Sequence, residues 1–133
     1  MASAIDNALQ FHSRALELRA YRQELLASNV ANADTPGYKA RDIDFGSQLE
    51  QVLAQRTTGV AAERTQAAHL ASAARTSGPG APAYRNVLQP SIDGNTVDMD
   101  LERAQFADNA IHYEANLMFI NGQLKALLAA IQG

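Results

Sequence analysis

The sequence has no cysteine and no tryptophan, and little aromatic content. The missing cysteine excludes disulfides and thiolate metal sites and leaves the redox compartment unread. No apolar run reaches the roughly 18 residues of a membrane-spanning helix, so no span is expected. The first residues, Met1-Ala2-Ser3-Ala4-Ile5-Asp6-Asn7, carry neither a basic start nor an apolar stretch, so no cleavable secretory signal is expected. That does not exclude export by a route without a cleaved signal. A net charge of -3 argues against nucleic-acid binding by bulk electrostatics. No glycine-rich phosphate loop or nucleophile elbow occurs, so no enzymatic activity and no cofactor are expected.

What is present is apolar periodicity at the two ends of a 133-residue chain. Residues 4–32 read as one helix, about 43 Å long. One seam is Ala4, Ala8, Phe11, Ala15, Leu18 and Leu25; a second is Ile5, Leu9, His12, Leu16, Leu26 and Val30. Spacings of three and four put each seam on one face and make a broad stripe. Arg14, Glu17, Arg19, Arg22 and Glu24 occupy much of the remaining surface. Such an arginine row is usually solvated; in an assembly it would meet the acidic start of another copy's last helix.

Asn29-Val30-Ala31-Asn32-Ala33-Asp34-Thr35-Pro36-Gly37-Tyr38 ends the helix. Pro36 cannot donate a backbone hydrogen bond and disfavours helical geometry at Thr35. Pro36-Gly37 fits the central positions of a type II turn, where the second residue needs positive φ. Asn29 and Asn32 suit capping of the helix end; the functional alternative has both amides bonding a neighbouring subunit's backbone.

Lys39 to Phe45 reads as extended, with room for one strand. Ser47-Gln48-Leu49-Glu50 reads as a capping box opening a short helix to about Gln55. From Thr57 to Ser91, Ala, Gly, Thr, Ser and Pro prevail around Gly78-Pro79-Gly80-Ala81-Pro82. This stretch buries too little to order itself and is expected to be a mobile or partner-ordered loop, with short strands near Val87 and Leu88.

Asp93-Gly94-Asn95-Thr96 signals a turn, after which Asp98, Asp100 and Glu102 crowd a helix start, where negative charge is favoured. These acids lack the glycine position of a calcium loop and any sign of a pocket that would make an acid/base pair. His12, His69 and His112 are too scattered for a metal site. The last helix is predicted over 98–132, roughly 52 Å long. Its seam is Phe106, Ala110, Tyr113, Leu117, Ile120, Leu124, Leu127 and Ile131, in alternating steps of four and three, the coiled-coil period. Gly122 costs about 1 kcal/mol inside this helix but lets another helix approach closely.

The expected fold is mainly α: long terminal helices pair as a coiled-coil-like hairpin, with a loop-rich middle and one short helix. Residues 1–33 and 95–133 would form a discontinuous helical core. Residues 34–56 would hold the turn, extended segment and short helix, and 57–94 a flexible loop. Both stripes are wider than a two-helix seam covers, so Phe11, Leu18, Leu25 and the C-terminal seam are expected to contact other copies of the chain. Repeated head-to-tail contacts give a helical polymer or tube. A small soluble helical adaptor, acting as monomer or dimer, is the alternative.

The segment Leu25 to Tyr38 resembles the signature of bacterial flagellar rod and hook proteins. The continuation Lys39-Ala40-Arg41-Asp42-Ile43-Asp44-Phe45, with Asp93-Gly94-Asn95-Thr96-Val97-Asp98-Met99-Asp100, narrows the resemblance to the proximal rod family of the basal body. It covers residues 1–56 and about 84–133. The resemblance implies a structural subunit of the periplasmic, torque-transmitting rod, with terminal helices packed around a central channel. It also implies unfolded export through the flagellar type III apparatus. The implied neighbours are other rod proteins, the FliE adaptor and the export gate. The large inserted domains of distal rod and hook proteins are missing, which fits a place near the membrane.

Overall fold

In the computed structural model, residues 4–54, 81–86 and 91–132 are described. The order is α1 (Ala4–Ala31), β1 (Arg41–Asp42), α2 (Phe45–Ala54), β2 (Ala83–Tyr84) and α3 (Met99–Gln132). The chain is mainly α, as the spacing predicts, with a loop-rich middle between two long terminal helices. The mobile-loop expectation and the strands near Val87 and Leu88 fall largely outside the described residues.

α1 and α3 pair antiparallel. The contacts Asn29–Glu102, Arg22–Gln105, Arg19–Asn109 and His12–Asn116 run in opposite directions along the two helices. α2 folds back on α1. Leu18 and Leu25 of α1 and Ile43 are buried together, with Tyr21, Phe45 and Leu49 packed against them. The Arg19 guanidinium lies 4.1 Å from the centre of the Phe45 ring, adding a cation–π contact to this small core.

The helix starts obey local rules, with one correction. α3 begins after Asp98, whose Oδ1 accepts from the amides of Asp100 and Leu101 at 3.0 and 3.2 Å. α2 begins at Phe45, two residues before the expected capping box. Its cap is Asp44, whose Oδ1 accepts from the amides of Gly46 and Ser47 at 3.2 and 3.4 Å. A carboxylate one turn earlier satisfies the orphan amides first, so Ser47 is drawn inside the helix.

β1 and β2 form a two-stranded antiparallel pair, Arg41 opposite Tyr84 and Asp42 opposite Ala83. This brings Arg85 to the hairpin, where its amide donates to the Ala40 carbonyl at 2.9 Å.

Candidate functional site

Two features stand out on the hairpin: a polar junction at its closed end, and an apolar face that the described residues leave uncovered. The junction begins at the turn after α1. The Tyr38 amide donates to the Thr35 carbonyl at 3.2 Å across Pro36-Gly37. Gly37 sits at φ 74°, a conformation open to glycine, as a type II turn requires. Asn32 closes the helix end, donating Nδ2 to the Ser28 carbonyl at 2.8 Å and accepting from the Thr35 hydroxyl at 3.2 Å.

The segment before α3 completes this cap. Asn95 is buried, and its Nδ2 reaches the carbonyls of Asn32, Ala33 and Thr35 at 3.1, 2.7 and 2.9 Å. Its Oδ1 accepts from the Val97 amide at 2.8 Å. Main-chain bonds flank this clip: the Gly37 amide to the Asp93 carbonyl, and the Thr96 amide to the Tyr38 carbonyl, each 3.0 Å. Lys39 Nζ donates to the Gly94 carbonyl at 2.7 Å. The end of α1 and the approach to α3 are thereby one unit.

Asn29 is wholly buried and works within the chain. Its Nδ2 donates to the Arg41 carbonyl at 2.8 Å and to Glu102 Oε2 at 3.2 Å. Its Oδ1 accepts from the Arg41 amide at 3.1 Å and the Tyr38 hydroxyl at 3.4 Å. All four bonding directions of the amide are used. Asn29 therefore holds β1 rather than capping α1, and has no capacity left for a neighbouring subunit.

Charge is concentrated beside Asn29. Asp42 accepts from Arg22 Nε and Nη2, both at 2.8 Å, and from Arg85 Nη2 at 3.0 Å. Arg85 also donates to Glu102, and Gln105 Oε1 accepts from both arginines at 3.0 Å. Burial opposes ionisation of Asp42, but the Arg22 and Arg85 contacts together outweigh it and hold its carboxyl below the usual range. The Asp42 hydrogen bond likewise raises Arg22. Arg19 is lowered by burial and by the nearby Arg22 charge. The arginine row is thus not a solvated face: Arg14 pairs with Glu17 on the surface, while Arg19 and Arg22 are committed inside the hairpin.

Along the rest of the hairpin a polar row of α3 faces α1, beside half-buried Tyr113 and Ile120. Glu102, Asn109, Asn116 and Gln123 recur every seven residues. Glu102 meets Asn29; Asn109 Nδ2 donates to the Arg19 carbonyl at 2.9 Å and to Gln23 Oε1 at 2.6 Å. Asn116 Oδ1 lies 2.9 Å from His12 Nδ1, and the His12 ring stacks on Phe119. Gln123 Oε1 is buried without a hydrogen-bond partner among the described residues.

The apolar seam is rotated to one side of this ladder. Phe106 and Leu117 are each 39% exposed, Leu124 is 44% and Ile131 81%. Tyr113, Ile120 and Leu127 are half-buried, and on α1 Phe11 lies at 36% while Leu18 and Leu25 are buried. Gly122 has open space where a side chain would stand, so no other helix of the described chain approaches it.

The comparisons with known proteins agree with one another. Residues 9–39 match the family described as flagella basal body rod protein. The flagellar basal body rod protein FlgB of Salmonella typhimurium is 50% identical over all of this chain and 99% of its own length. FlgB of Escherichia coli is 49% identical over 99% of this chain and 98% of its own. FlgB of Cereibacter sphaeroides is 43% identical over 94% of each. The chain belongs to the FlgB family of flagellar basal body rod proteins.

The segment shared with the rod family runs from α1 through Lys39. It contains Asn29, Asn32, Gly37 and Tyr38, the α1 side of the junction. Among the described residues, no helix is long and apolar enough to cross a membrane. Sequence reasoning missed the roles of Asn95, Asp42, Arg85, Glu102 and Asn109. Arg85 carried no signal, because its partners are set by the β1–β2 pairing. The ladder had one: polar residues at a strict seven-residue interval inside an apolar helix.

Proposed function

We propose that the chain is a structural subunit of the flagellar basal-body rod that polymerises through α1 and α3 into a hollow, torque-transmitting shaft. One observation carries the reading. α3 meets α1 through a polar row, Glu102, Asn109 and Asn116, and leaves Phe106, Leu117, Leu124 and Ile131 exposed. A contiguous apolar face of that kind is covered by association. Residues 1–33 and 95–133 form the assembly unit, and the close approach at Gly122 is made by a helix of a neighbouring subunit. Copies of the same chain and other rod proteins are its lateral neighbours. The FliE adaptor and the export gate border it at the membrane side, in keeping with a proximal place. Export proceeds unfolded through the flagellar apparatus, and the role involves no catalysis.

The test is incorporation. A tagged chain should restore motility to cells lacking their own copy and co-purify with isolated basal bodies. A chain that restores motility while absent from basal bodies would defeat the proposal.

A further inference from the structure

On one side of the hairpin, α1 and α3 leave a groove of about 440 Å³, walled by Ala20, Gln23 and Ala27 of α1 and by Phe106, Ala110 and Tyr113 of α3. Glu24 and Glu114 stand on its lips. A second stretch of 460 Å³ continues it past Ala20 and Tyr113 to Leu9 and Ile120. Neither Glu24 nor Glu114 has an ion-pair partner among the described residues. The opposite chemistry lies further along α3. Leu117, Leu124 and Leu128, exposed at 39, 44 and 57%, recur at helical spacing on one face. Lys125 lies beside them, also without an ion-pair partner among the described residues.

We propose that this groove receives the C-terminal half of α3 from a second copy of the chain. Leu117, Leu124 and Leu128 fill the apolar floor, and Lys125 comes to rest between Glu24 and Glu114. The inference rests on the rod-subunit reading and adds which surface meets which. Copies in a rod share one direction, so the contact passes head to tail. Each subunit offers its α3 end to one neighbour and its groove to the next, an open series rather than a closed pair. Removing the apolar stripe from water supplies the affinity, and the lysine between two carboxylates selects the register.

The chain has no native cysteine, so cross-linking is clean. Within one copy, positions 24 and 125 lie roughly 30 Å apart along the hairpin, too far for a disulfide. The full-length double variant Glu24→Cys with Lys125→Cys is expressed in cells lacking the wild-type chain, and basal bodies are isolated and mildly oxidised. A ladder of dimers, trimers and larger species, seen with neither single variant, is the expected result. Bands that stop at the dimer, or adducts only with a different protein, would overturn the proposal. A variant incorporated without any cross-link would overturn the groove assignment and leave the rod reading standing. Failure of the unsubstituted tagged chain to enter basal bodies would remove both. As a second measurement, Lys125→Glu should lower incorporation roughly fivefold. Adding Glu24→Lys and Glu114→Lys should restore it; no effect of the first, or no rescue by the second, would count against the pairing.

Discussion

Asn29 grips Arg41 by both of its backbone groups: the Arg41 amide donates to Oδ1 at 3.1 Å, and the Arg41 carbonyl accepts from Nδ2 at 2.8 Å. A side-chain amide thereby serves β1 as a neighbouring strand would. Asn29→Ala leaves those two groups, and part of Glu102, without partners in a buried place. Each unsatisfied buried group costs about 1–3 kcal/mol, so a loss of about 3 kcal/mol is expected. Urea unfolding followed by circular dichroism checks it. A midpoint shifted by no more than a surface mutation shifts it would rule this role out.

Asn95→Ala removes one donor group from three carbonyls at the end of α1. The expected cost is about 1–2 kcal/mol. Its location is diagnostic: hydrogen exchange should quicken at the amides of Gly37, Tyr38 and Thr96 and change little in the middle of α3. A uniform increase along the chain would point to global destabilisation instead.

Acid should weaken the junction through Asp42. Its folded pKa lies below its unfolded value. Its stabilising contribution is therefore fully present above the unfolded value of about 3.9 and drains away as pH falls through the folded value. Asp42→Asn removes that contribution. The stability gap between wild type and variant should be constant near neutrality and shrink below about pH 4. A gap that stays flat to strong acid would exclude the linkage.

Gln123→Met should stabilise the hairpin by about 1 kcal/mol. The substitution keeps an unbranched side chain and removes the buried Oε1 that has no partner among the described residues. Thermal melting should show a higher midpoint; an unchanged or lower one would mean that water already serves that oxygen.

Leu117→Asp and Leu124→Asp should each abolish motility without disturbing the fold of the free chain. Both positions are about two-fifths exposed in the isolated subunit, at 39 and 44%. The variants should keep wild-type helicity and still be secreted, yet be missing from basal bodies. Motility that persists in both would dismiss the seam as an assembly surface.

The helices themselves were legible in the sequence. Apolar steps of three and four placed α1 and α3 to within a residue, and Pro36-Gly37 placed the turn. What was not legible depends on partners far away in sequence. Asn29 reads locally as a cap, because nothing nearby announces Arg41 or Glu102. Arg22 reads as solvated until β1 and β2 bring Asp42 and Arg85 beside it. The α2 start was misplaced because Asp44 and Ser47 both satisfy the capping preference, and only geometry chooses between them. For α3, periodicity identified an apolar stripe but not its facing direction. A helix with two stripes, one polar and one apolar, is ambiguous until its partner is known.

His12 and Asn116 touch although they are 104 positions apart. Short-range contacts such as Asn29 with Arg41 join α1 to β1, whereas the pairing of α1 with α3 has high contact order. A chain threaded N-terminus first through a narrow conduit exposes α1 long before its partner emerges. If the chain leaves the cell unfolded, as proposed above, the hairpin closes only once nearly all of it has emerged.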